Sequence, residues 1–108
     1  MLNVKKALTK ILTSMDEQFK TVSVATSSTS VGASQGVWKY GTATIPSGYT
    51  PIGFKTFGVN HGWINITGQS LSVSGTTLSA GFFCQNITNA AINCQCDAQV
   101  LLVRNVYL

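Results

Sequence analysis

Four side chains of this 108-residue chain could hold a metal ion: Cys84, Cys94, Cys96 and His61. Three thiolates and one imidazole are a ligand set that zinc accepts. The spacing argues against it. Cys94 and Cys96 are separated by one residue, short for a structural zinc site, and Cys84 lies ten positions before Cys94. At strand spacing Cys94 and Cys96 share a face with Gln95 opposite. The expectation is three buried free thiols acting as small hydrophobes, with no metal and no cofactor. An odd cysteine count also disfavours a disulfide framework and suits synthesis in a reducing compartment.

Catalytic groups are scarce. His61 is the single histidine, and the acids are Asp16, Glu17 and Asp97. A glycosidase needs two carboxyl groups flanking one bond, and the chain after residue 20 offers one. A Ser-His-Asp triad would have to use His61 and Asp97 without a nucleophile-elbow motif. The chain is expected not to be an enzyme. Asn65-Ile66-Thr67 and Asn86-Ile87-Thr88 match the glycosylation sequon, and are read as ordinary strand and turn residues.

Binding chemistry is better represented. Trp38, Tyr40, Tyr49, His61 and Trp63 could stack on a sugar ring or touch a protein receptor, with neighbouring Asn, Gln and Ser supplying hydrogen bonds. The competing reading places Trp38 and Trp63 in a core or an interface. Tyr49 and His61 fall at turns, where binding residues concentrate.

The elements that must carry these residues follow from periodicity. Residues 1–20 show a helical stripe: Val4, Leu8, Ile11, Leu12, Met15 and Phe19 recur at spacings of three and four. Asn3 is a suitable N-cap. A short coiled coil of several copies, or a fold-back onto the rest of the chain, would each bury that stripe. Beyond it the sequence reads as strands and turns. Val22 and Val24 mark a short strand, and residues 27–34 are a polar loop. Residues 37–45 alternate, with Trp38, Tyr40, Thr42 and Thr44 on one face and Val37, Lys39, Ala43 and Ile45 on the other. Pro46 to Pro51 is a turn-rich connection before a strand over 52–60. Gly68-Gln69 is read as a hairpin turn between strands 63–67 and 70–74. Strands over 77–85 and 92–96 follow, and residues 98–108 form a final strand apolar on both faces, hence central or at a subunit interface. The expected class is mainly β: an antiparallel, jelly-roll-like β-sandwich head over 21–108, preceded by an N-terminal α-helix over 1–20 that serves as an oligomerisation stalk.

Composition narrows the partners. Charged residues make up 9% of the chain, against about 25% in typical domains. Most of them lie in the first twenty positions, but the formal net charge of +4 divides evenly between those positions and the rest of the chain. No basic stripe interleaved with aromatics appears, which argues against nucleic acid. No apolar run approaches the ~18 residues of a membrane span, so no membrane insertion is expected. A body solvated by Ser, Thr, Asn and Gln suits contact with protein or sugar.

The stretch Ile45 to Val59, IPSGYTPIGFKTFGV, follows a Ser/Thr-rich loop and precedes the closing strand VLLVRNVYL. In this layout the chain resembles small tail-tip or receptor-binding proteins of phages and prophages of gut bacteria. The resemblance implies a homotrimer: a helical bundle carrying three β heads, with other phage tail proteins as neighbours and a host-surface saccharide or protein as receptor. It implies a place in the virion tail after synthesis in the bacterial cytoplasm. It transfers no binding residue. A monomeric carbohydrate-binding module and a capsid decoration or assembly protein remain the alternatives.

Overall fold

In a computed structural model, which describes residues 3–8 and 18–107, residues 4–8 are helical and most of the rest is antiparallel strand. Asn3 caps the helix. Its Oδ1 accepts the Lys6 amide at 3.0 Å, and its carbonyl accepts the Ala7 amide at 3.0 Å. Val4 is 71% exposed and Leu8 54% exposed, so neither is folded back onto the strands. The stripe positions Ile11, Leu12 and Met15 lie outside the described residues.

Phe19 is not on the helix. It opens strand β1, Phe19–Ala25, and this corrects the expected helical run to residue 20. Phe19 lies opposite Val103, and the Arg104 amide donates to the Gln18 carbonyl at 2.9 Å. Ladder hydrogen bonds from a strand some eighty positions away thus take over a stretch rich in β-branched residues, Thr21, Val22 and Val24.

The remaining strands are β2 (Thr29–Val31), β3 (Gly36–Thr44), β4 (Tyr49–Val59), β5 (Ile64–Ser74), β6 (Thr77–Asn86), β7 (Ile92–Cys94) and β8 (Cys96–Arg104). They form two three-stranded sheets, β1-β8-β4 and β3-β6-β5, and a two-stranded ribbon, β2-β7; every pairing is antiparallel. The closing strand, expected to be central or at a subunit interface, is central, but it stops at Arg104. Asn105–Tyr107 is a 3-10 turn, with the Asn105 amide bonded to the Gly48 carbonyl at 2.9 Å.

Three further expectations change. The expected hairpin at Gly68-Gln69 is instead one continuous strand, β5, with a bulge between Ile66 and Gly68. A glycine inside a strand pattern marks a bulge as readily as a turn. The turn from β5 to β6 lies at Gly75, also a turn signal in the sequence, with a φ of +61°. The polar loop contains β2, whose Val31 is buried and pairs with Ile92. The connection before β4 is shorter than expected, because pairing with β8 already begins at Tyr49.

Both three-stranded sheets contribute to one core. Val24, Val100 and Leu102 come from one, and Leu78, Ala80 and Phe82 from the other. Phe82 carries the contact across, with its ring centroid 5.5 Å from that of Phe54 and 6.0 Å from that of Phe57. At one end the chain changes partners. Cys94 pairs with Thr29 in the ribbon, while Cys96 begins β8. Gln95 between them is pinned from outside: its amide donates to Asn60 Oδ1 at 2.9 Å, and its carbonyl accepts the Asn60 amide at 3.0 Å.

Candidate binding face

Alternation along β3 sends Trp38 and Tyr40 outward and Lys39 inward. Trp38 is 44% exposed, Tyr40 is 59% exposed and Lys39 is buried. The two outward rings lie nearly parallel, 17° apart with centroids at 6.1 Å. Phe83 of β6, directly opposite Trp38, meets it edge-on at 5.4 Å. A Cβ on Gly81 would lie 2.6 Å from both Tyr40 Cε1 and Ser70 Oγ. Only glycine at this position lets the Tyr40 ring rest across β6.

Register extends this strip into a face. Reading across β3, β6 and β5, the rows are Trp38, Phe83 and Gly68; Tyr40, Gly81 and Ser70; Thr42, Ser79 and Ser72. Toward the other end come Gly36, Gln85 and Asn65. Trp63, 60% exposed, follows beside Ile87, whose amide donates to the Trp63 carbonyl at 3.3 Å. Two rows separate Trp63 from Trp38, or about 13 Å of strand. None of these side chains is charged.

Three of the five sequence-predicted residues therefore share one surface: Trp38, Tyr40 and Trp63. The other two have different surroundings. Tyr49 is half-buried, packs against the core, and lies under the Lys20 ammonium, 4.7 Å from its ring centre. His61 sits in the turn before β5, where its Nδ1 accepts the Trp63 amide at 3.2 Å. That bond orients the backbone leading to Trp63. Phe83 was missed because the run Ala80-Gly81-Phe82-Phe83-Cys84 is apolar on both faces. The inward series Leu78, Ala80, Phe82 and Cys84 would have assigned it outward.

No protein-family model, curated protein sequence or solved structure matches the chain. The site must be read from its own geometry. Among the described residues, no helix is long and apolar enough to cross a membrane.

Behind this face, in the interior, lie the sulfur atoms of three strands, β6, β7 and β8. Cys84, Cys94 and Cys96 are free thiols with no solvent exposure. Their Sγ atoms all lie within 4.8 Å of one another, and those of Cys84 and Cys96 are 3.2 Å apart. Burial, reinforced by the bond and the charge of Cys84, pushes the Cys94 thiol up to about 11 and the Cys96 thiol higher still. Such thiols are protonated and weakly nucleophilic at neutral pH. His61 does not belong to the cluster. The second sequon has a structural role: Asn86 is fully buried, and its Nδ2 donates to the carbonyls of Val31, Gly32 and Ala90 at 2.8–3.2 Å. Its Oδ1 accepts from the Thr88 amide and hydroxyl.

The opposite sheet presents a different surface. A shallow groove of about 500 Å3 runs over its outer side, between β1, β8 and β4, with Ser23, Thr56, Asp97 and Gln99 among its walls. Gln99 Nε2 donates to Ser23 Oγ at 2.7 Å across it.

Proposed function

We propose that this chain is a non-enzymatic attachment head that binds saccharide on the outer face of the β3-β6-β5 sheet. The observation that carries the reading is the near-parallel Trp38–Tyr40 pair beside Phe83, on a face without charge. Flat rings offer apolar contact to the C–H faces of a sugar. Ser70, Ser72, Thr42, Asn65 and Gln85 surround them with short neutral donors and acceptors that match hydroxyl groups. Two sheets packed on one core, with β7 and β8 exchanging partners at Gln95, favour a jelly-roll-like sandwich as the scaffold.

The resemblance to phage and prophage tail-tip proteins supplies the setting: three such heads on a stalk at the end of a phage tail, meeting a host-surface polysaccharide. The uncovered Val4 and Leu8 on a capped helix support self-association through the amino-terminal segment. Three weak sites on one stalk would hold a cell surface by avidity without tight single contacts.

The test is a glycan array and a host-cell pull-down with the full chain, alongside its mass by sedimentation equilibrium. Binding to polysaccharide that Trp38→Ala weakens about tenfold, by a trimer that Val4→Ser with Leu8→Ser dissociates, is the expected result. Binding that Trp38→Ala leaves unchanged removes the face from consideration, and a monomeric full chain removes the stalk. The exposed apolar rings on the same face also support a second reading, a contact between copies. In that case Trp38→Ala lowers the mass and leaves glycan binding unchanged.

A further inference from the structure

We propose that Cys84, Cys94 and Cys96 form a site for a divalent thiophilic cation of the zinc group, bound by three thiolates and charge-balanced by Lys39. The thiols come from three strands, β6, β7 and β8, which belong to both sheets and the ribbon. Three thiolates around an ion at ~2.3 Å stand about 3.8–4.0 Å from one another. The Sγ triangle, with one edge of 3.2 Å and none above 4.8 Å, brackets that size. Side-chain adjustment of well under an ångström per atom converts it to a ligand set.

The second observation is Lys39. It is 6% exposed on the inward side of β3, and its Nζ donates to Thr29 Oγ1 at 2.5 Å. Thr29 is the cross-strand partner of Cys94. No carboxylate is described against this ammonium among the described residues. A buried cation beside a neutral hydroxyl is costly, and it calls for an anion nearby. Three neutral thiols do not provide that anion. A divalent ion with three thiolates does, because it releases three protons and leaves one net negative charge, which the ammonium neutralises. A monovalent ion would leave two negative charges and a trivalent ion none, so the single lysine selects the divalent class. Thiol ligands select soft members of that class over magnesium or calcium. Bound there, the ion would tie both sheets and the ribbon at one point, and its binding energy would add to that of folding. This inference does not depend on what the outer face binds.

The experiment uses the full chain, purified under reduction and without chelator, with Cd(II) and Zn(II) as probes. The expected results are one ion per chain and a thiolate-to-cadmium charge-transfer band. Three protons should be released per ion, and the melting temperature should rise by several degrees. Cys94→Ala should abolish the band. Lys39→Met should weaken binding at least tenfold while keeping the strand circular dichroism. If Cys94→Ala fails to fold, Lys39→Met and the proton count still decide. A folded chain that stays metal-free in micromolar Cd(II), with three alkylatable thiols on denaturation, overturns the proposal. One alkylatable thiol, meaning a disulfide between the other two, overturns it as well, and so does unchanged affinity in Lys39→Met.

Discussion

The two faces of the β3-β6-β5 sheet are one residue apart in sequence and opposite in kind. Inward, Lys39, Phe82, Cys84 and Asn86 are closed off from water, and each polar atom among them has a partner. Outward, Trp38, Tyr40 and Phe83 spread their rings on a surface of serine, threonine and glycine. The inner face is governed by burial, where a missing contact is paid in folding free energy. The outer face is governed by shape, because its rings contact one another yet leave nearly half of Trp38 in solvent. Substitutions on the two faces should therefore separate cleanly into losses of stability and losses of binding. The groove on the other sheet provides a control surface: it is open like the aromatic face but walled by Asp97 and Gln99.

The strongest test of the division is Phe82→Ala. This ring is fully buried and bridges the sheets to Phe54 and Phe57. Its removal should cost ~3–5 kcal/mol, read as a lower denaturant midpoint, with ligand affinity per folded molecule unchanged. Asn86→Ala comes next. It strips the amide that serves the Val31, Gly32 and Ala90 carbonyls, and about 1–3 kcal/mol should be lost, again without a change in binding. A loss of affinity in either variant, measured on the folded fraction, would break the comparison. Alkaline titration probes the same interior without mutation. Burial holds the Cys94 thiol at about 11 against an ordinary 9.0, so the folded state resists ionisation more than the unfolded state. Without bound metal, stability should be level below pH 9 and fall as the pH rises through about 11.

Trp38→Ala is the corresponding test outside. It should leave the denaturant midpoint nearly unchanged, with at most ~0.5–1.5 kcal/mol lost from ring contacts. Affinity for polysaccharide should fall about tenfold, which is ~1.4 kcal/mol. Asp97→Asn, in the groove of the other sheet, should alter neither quantity.

How much of this was legible beforehand differs between the faces. Period-two alternation placed Trp38 and Tyr40 together and opposite Lys39, because a strand with one wet face writes that pattern plainly. Apolar residues on both faces of the last strand left it either central or at a subunit interface, and it is central. The same alternation was silent for Phe83, since Phe82 and Cys84 flank it in an unbroken apolar run. The bulge at Gly68 was mistaken for a turn, because local residue types report flexibility and not which strand lies alongside. Phe19 looked helical for a similar reason: its partner, Val103, is far away in sequence. The thiol cluster was hidden in the spacing. Cys84 and Cys96 meet through tertiary packing between two sheets, and no sequence interval encodes that distance.

The finest test concerns Gly81, which lies on neither side by chemistry and serves the outer face by absence. Adding a methyl group there would bring carbon to 2.6 Å from the Tyr40 ring and from Ser70 Oγ, so one or both must move. If the binding face needs Tyr40 flat beside Trp38, Gly81→Ala should lower affinity about threefold, roughly half of a tenfold step on the free-energy scale. The cause can be isolated with a double-mutant cycle. In a Tyr40→Ala background the ring is already gone, so Gly81→Ala should cost no further affinity, and the two changes should be strongly non-additive. Additive losses would mean that Gly81 matters for the strand itself and not for the ring above it. The aromatic strip would then be a property of three separate side chains and not of a face built to hold them.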